Sequence, residues 1–159
     1  MTIRAARPAD AETVVEMIHA HAGEDDHGGR CRITAKDIRT HGFGERPTIE
    51  ALVAESAGEA VGFLLFFTNF SSWEGKPGLF AEDLYVREDL RGQGIGRRLM
   101  RVLGRLAVQR GHARIDWAVL ERSRARRFYE GLGAVWIDKW LTYRLTGDAL
   151  AAFGGEEAA

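Results

Sequence analysis

The stretch that most restricts this chain is Val86-Arg87-Glu88-Asp89-Leu90-Arg91-Gly92-Gln93-Gly94-Ile95-Gly96-Arg97-Arg98-Leu99. It reads as the end of a strand, a glycine-rich turn and the start of a long helix. Alternate glycines at 92, 94 and 96 let the backbone approach a ligand closely and adopt φ > 0. The helix that follows brings unpaired N–H groups and a positive end. Such a turn suits a pyrophosphate. Two familiar versions are excluded. A dinucleotide loop G-x-G-x-x-G would need glycine where Arg97 stands. A Walker loop would need a Lys-Ser/Thr pair that the sequence lacks. What remains is R-x-x-G-x-G, from Arg91 through Gly94 to Gly96.

Charge supports an anion at this place. The formal net charge is only −1, yet residues 91–127 hold eleven arginines against Asp116 and Glu121, a balance of +9. Residues 1–90 carry −7 and residues 128–159 carry −3. A chain this acidic outside one segment is not a general nucleic-acid binder. A basic island in it attracts a small polyanion.

The rest of the chain predicts alternating elements. Ile3–Ala6 reads as a strand and Pro8 opens a helix, with Asp10 and Glu12 in its first turn. Thr34 caps a short helix ended by Gly42 and Gly44. Ile49–Glu55 and Ala60–Phe67 are strands joined by a hairpin at Ser56–Glu59, and Thr68–Gly78 is a loop. Leu79–Val86 is a strand. Ile95–Arg110 is a helix with Ile95, Leu99, Val102, Leu103, Leu106 and Ala107 on one face, and Gly111 stops it. Ala113–Leu120 is a strand, Arg124–Leu132 a helix, and Ala134–Leu145 a strand pair or one bent strand. The expected class is α/β, a mixed sheet with helices on both faces. The 159 residues suit a single domain over 1–147 with a tail at 148–159. One cysteine, Cys31, allows no intrachain disulfide, and His19, His21, His27 and Cys31 fit no zinc spacing, so no metal is expected. The N-terminus lacks a signal peptide's apolar stretch and Val61–Phe67 is too short to span a membrane. A cytoplasmic protein without membrane or nucleic-acid partners is the expectation.

Arg91–Met100 resembles the acetyl-CoA motif of the GNAT acetyltransferase superfamily. More of the chain is similar to its diamine (spermidine/spermine) and thialysine acetyltransferase branch: Ile33–Ile38, His41–Pro47, Leu52–Glu55, Val61–Phe63, Phe80–Val86 and Arg127–Ala134. The resemblance implies a GNAT-like acyltransferase fold of six to seven strands with about four helices. It implies acetyl-CoA as co-substrate, a small primary amine as acceptor (polyamine, diamine or lysine-like amino acid), direct transfer in a ternary complex, and a homodimer.

Site residues follow from it. Leu84, Tyr85 and Val86 would hold the pantetheine arm through their backbone. The N–H groups of Arg91, Gly92, Gln93, Gly94, Ile95, Gly96 and Arg97 would wrap the diphosphate, the Arg97 and Arg98 side chains could contact phosphate directly, and Arg122, Arg124 or Arg126 could take the place of the branch's cofactor-contacting asparagine through charge. Tyr129 matches the family's general acid, and a phenol, pKa ~10, can protonate a thiolate whose acid has pKa ~8.5. Glu82 lies where the branch removes the amine proton. Asp83 is a second substrate candidate, expected to point to the opposite strand face. Trp73 and Trp140 resemble aromatics flanking the amine groove, and Asp138, Glu24, Asp25 and Asp26 could receive a distal ammonium. After Leu120 the branch's asparagine-bearing turn is shortened to Glu121-Arg122-Ser123-Arg124-Ala125, and the loop before Trp73 lacks the acid expected of a spermine binder. Acetylation of a peptide amine and non-catalytic sensing of acyl-CoA remain as alternatives.

Overall fold

The computed structural model describes residues 1–24 and 28–155. Asp25, Asp26 and His27, named above, lie outside the described residues. The chain divides into two compact units, Met1–Glu121 and Arg122–Ala159.

The first unit is built on one sheet of five strands in the order β1-β2-β3-β4-β5. These are β1 (Thr2–Ala5), β2 (Glu50–Ser56), β3 (Glu59–Ser71), β4 (Lys76–Val86) and β5 (Ile115–Trp117). The first four are antiparallel neighbours, and β5 joins β4 in parallel, pairing Leu79–Ala81 with Ile115–Trp117. The β3–β4 hairpin is longer than expected. Phe70 pairs with Pro77 and Ser71 with Lys76, so continuous pairing absorbs most of the loop foreseen at Thr68–Gly78.

Three helices cover this sheet: α1 (Ala11–Glu24), α2 (Ala35–Phe43) and α3 (Ile95–Gln109). Side-chain alternation sorts them by face. Val53, Phe63 and Tyr85 lie side by side across β2, β3 and β4 and join a core with Val14, Met17 and Ile18 of α1 and Ile38 of α2. Leu52 and Leu64 point the other way and are buried, as are Leu99, Leu103 and Ala107 of α3, which packs on the strands. The predicted stripe of α3 is therefore its sheet-facing side. Local signals also hold. Thr34 Oγ1 accepts from the Asp37 N–H at 3.3 Å, and Asp37 Oδ2 accepts from the Thr34 N–H at 2.9 Å, a reciprocal cap at the start of α2. Arg4 pins β1 to the beginning of α1 by a two-point pair with Asp10 at 2.7 and 2.9 Å, and its Nε donates to Glu55 at 2.9 Å. That guanidinium holds the Asp10 carboxyl below its ordinary range.

The second unit contains α4 (Ala125–Glu130) and α5 (Gly147–Gly155). The expected tail beyond 148 is thus helical as far as it is described. Ala134–Leu145, expected as strand, carries none. A strand needs a ladder partner, and this unit described by itself contains no other strand. The mixed α/β class with helices on both sheet faces stands as expected. The described strands number five, short of the six to seven foreseen.

Candidate active site

Most of the proposed site residues of the first unit fall on one continuous run, from the second half of β4 to the first turn of α3. Pairing along β4 has a flaw at its centre. Leu65 pairs with Asp83 and Phe66 with Ala81, which leaves Glu82 as an extra residue in a bulge. Bulges re-aim side chains and loosen a strand from its neighbour. Glu82 is exposed there. Asp83, next along the strand, is half-buried and lies on the same face as Tyr85, beneath α1. The two acids therefore differ in exposure, and the bulge interrupts the simple alternation from which opposite faces were expected. The bulge itself was not foreseen, and its one sequence signal is a pair of adjacent carboxylates inside an otherwise apolar strand.

Burial pushes the Asp83 carboxyl above its ordinary range, and the charge of His21 on α1 opposes part of that rise. A carboxyl whose folded-state pKa is raised costs stability once pH exceeds it, and the cost disappears below the unfolded pKa. Asp83→Asn is therefore expected to raise the denaturant midpoint near neutral pH. The gain should fade as pH falls through the carboxylate range. An equal gain at all pH values would contradict this burial argument.

After Val86 the chain makes a 3₁₀ turn at Glu88–Leu90 and enters the glycine loop. Gly92 and Gly94 have φ of +78° and +77°, in the left-handed region, and a Cβ at either would meet open space. The glycines thus serve backbone conformation and leave the outer side of the loop clear for a ligand. Gly94 is the N-cap of α3, and the first intrahelical bond runs from the Arg98 N–H to its carbonyl at 3.0 Å. The Ile95 and Gly96 amides precede that bond. Arg97 and Arg98 are exposed on the first turn. Backbone N–H groups, a helix N-terminus and nearby guanidiniums suit a diphosphate, so these residues fit the phosphate end of a CoA thioester. Among the described residues no group of three or more His, Cys, Asp or Glu side chains is placed to hold a metal.

The Arg91 side chain is engaged by other parts of the first unit. Its Nε donates to the Val86 carbonyl at 2.9 Å and its Nη2 donates to Glu24 Oε1 at 2.5 Å. Its guanidinium is thus turned toward β4 and α1, and Glu24 is engaged by it. Trp73 sits in the hairpin turn at the opposite end of β4 from the glycine loop and is 84% exposed.

Tyr129, Arg122, Asp138 and Trp140 belong to the second unit. Tyr129 lies on α4, half-buried, with its ring edge-on to Phe128 at a centroid distance of 5.0 Å. Its carbonyl accepts from Leu132 at 2.9 Å and Ala134 at 3.3 Å, which closes the turn after α4. Arg126 stacks over Trp136 at 5.0 Å. Arg122, Asp138 and Trp140 are exposed.

A family model described as Acetyltransferase (GNAT) family matches residues 15–134. The chain is 32% identical to a thialysine N-epsilon-acetyltransferase of Mus musculus over 96% of both proteins. It is 38% identical to an L-ornithine N5-acetyltransferase of Arabidopsis thaliana over 68% of this chain and 49% of that one. Among solved structures, an integron cassette protein from V. cholerae superposes with a TM-score of 0.81 at 22% identity, covering 98% of each chain. The chain belongs to the GNAT acetyltransferase family. That membership implies acetyl-CoA as the acetyl donor. No described helix is long and apolar enough to cross a membrane.

Proposed function

We propose that this protein is an acetyl-CoA-dependent N-acetyltransferase of the diamine and thialysine branch, acting on a primary amine of a small molecule. The observation that carries this reading is the continuous run from bulged Glu82 through the end of β4 to the glycine loop and α3. It sets an exposed carboxylate on the strand that leads directly into the glycine loop and the N-terminus of α3. Relatives named for thialysine and L-ornithine support an acceptor that is a small amine.

Bound acetyl-CoA supplies an activated acetyl thioester; the remaining tasks fall to the chain. The backbone N–H groups from Arg91 through Gly92, Gln93, Gly94, Ile95 and Gly96 to Arg97 hold the diphosphate, assisted by Arg122. The backbone of Leu84, Tyr85 and Val86 holds the pantetheine arm, and an N–H from this segment polarises the thioester carbonyl. Glu82 accepts the amine proton, directly or through water, and Asp83 binds the substrate's charge. Tyr129 donates a proton to the departing thiolate. Trp73, Asp138 and Trp140 contact the body of the amine. The same reading includes a homodimer in the cytoplasm, with no nucleic-acid, membrane or metal partner.

The test is thiol release from acetyl-CoA against spermidine, putrescine, thialysine, lysine, ornithine and short peptides. Saturable release with one or more small amines is the expected result. Turnover confined to peptides would move the substrate to protein amines. CoA binding without turnover of any amine would make the protein an acyl-CoA sensor.

A further inference from the structure

The glycine loop has little in its own sequence to hold it in one shape. Glycine loses more conformational freedom on ordering than any other residue, and two of the loop's glycines take positive φ. Something outside the loop must restrict it, and the structure shows Arg91 doing so from the loop's first position. Arg91 reaches back to three partners. Its Nε is bonded to the last carbonyl of β4 at Val86, its Nη2 to Glu24, and its guanidinium carbon lies 5.4 Å from the Tyr85 ring centroid. On α1 the His21 ring lies 5.9 Å from the same tyrosine. His21 and Glu24 both occupy the last turn of α1. Arg91 thus ties the loop to the end of β4 and to a helix more than sixty residues earlier in the chain.

We propose that Glu24 is a positioning residue for the cofactor loop, acting through Arg91 to hold the amides from Gly92 to Gly96 in their anion-binding arrangement before ligand arrives. The ligand in this inference rests on the acetyl-CoA reading above; the strap itself does not. Its effect is that of pre-organisation, since a loop already ordered loses less entropy on binding. The two side chains of the ion pair are 41% and 39% exposed, so the pair is salt-sensitive and modest in strength. The Val86 carbonyl and the Tyr85 ring keep Arg91 in place when the pair is weakened, so the strap relaxes without the loop unfolding.

Glu24→Gln keeps the size and helix propensity of the side chain and removes its charge. Two measurements on the full chain test the strap. In the ligand-free protein, amide hydrogen exchange at Gly92–Gly96 should speed up in Glu24→Gln while exchange in β3 is unchanged. By calorimetry at low ionic strength, the Kd for CoA should rise about three- to fivefold. The gap to the wild type should close at high salt, and Glu24→Asp should recover part of the loss. Unchanged loop exchange together with an unchanged Kd would overturn the inference. A wild type that binds no CoA would refute the functional reading instead, and loop exchange would still decide whether Glu24 holds the loop.

Discussion

Replacing Tyr129 by phenylalanine should lower kcat by about 10²–10⁴-fold while the Kd for CoA stays unchanged. The size follows from removing one positioned proton donor. A thiol has pKa ~8.5 and a phenol ~10, so the hydroxyl is protonated at neutral pH and available to a thiolate as it departs. The variant keeps the backbone and the aromatic ring of Tyr129. Its carbonyl closes the turn after α4 and its ring packs edge-on against Phe128. A melting temperature measured on the same variant separates lost chemistry from lost fold. Full turnover in this variant would remove Tyr129 from the chemistry and assign the proton to another group or to water.

Glu82→Gln should produce the other large loss, with a different dependence on pH. A free alkylamine has a pKa of about 10 and is almost wholly protonated near neutral pH, so it must lose a proton before it can attack. In the proposed mechanism Glu82 accepts that proton. With glutamine in its place only the small fraction already neutral reacts, and the rate should fall by about 10²-fold or more near neutral pH. As pH rises toward about 10 the solvent performs the deprotonation, and the variant should approach the wild type. A loss of equal size at every pH would mean that Glu82 binds or orients the amine instead of accepting its proton. Glutamine keeps the size of the exposed side chain in the bulge, and a denaturation curve on the same variant separates lost chemistry from lost fold.

These two residues also show what a sequence can and cannot reveal. The elements that carry the site were legible because their signals are local. Helix α3 was written in the recurrence of Ile95, Leu99, Leu103 and Ala107, and its start in the glycines before it. The cap at Thr34 and the hairpin at Ser56–Glu59 were likewise matters of neighbouring residues. Features that arise between elements were not legible. The bulge at Glu82 comes from the way β3 pairs with β4, and no pattern within β4 alone demands it. The same pairing extended the hairpin through Pro77 and Gly78, residues that locally argue for a loop. The bond between Arg91 and Glu24 joins positions 67 residues apart. The sequence assigned the Arg91 backbone to the loop but gave no sign of the acid that holds its side chain toward α1. The opposite error occurred at Ala134–Leu145, where apolar residues suggested strands but no ladder partner stands within that unit. Tyr129 was identified through the resemblance of its surrounding motif alone, since a tyrosine beside a phenylalanine on a six-residue helix has no chemical signature of its own.

The most direct test of the central claim is a two-substrate initial-rate study, varying acetyl-CoA against the best amine. Direct transfer between two bound substrates requires double-reciprocal lines that intersect, with both Kd values measurable on the same protein. Parallel lines would signal an acetylated enzyme intermediate instead of direct transfer. Together with the absence of thiol release above hydrolysis for every amine offered, these are the results that would contradict the mechanism proposed for this chain.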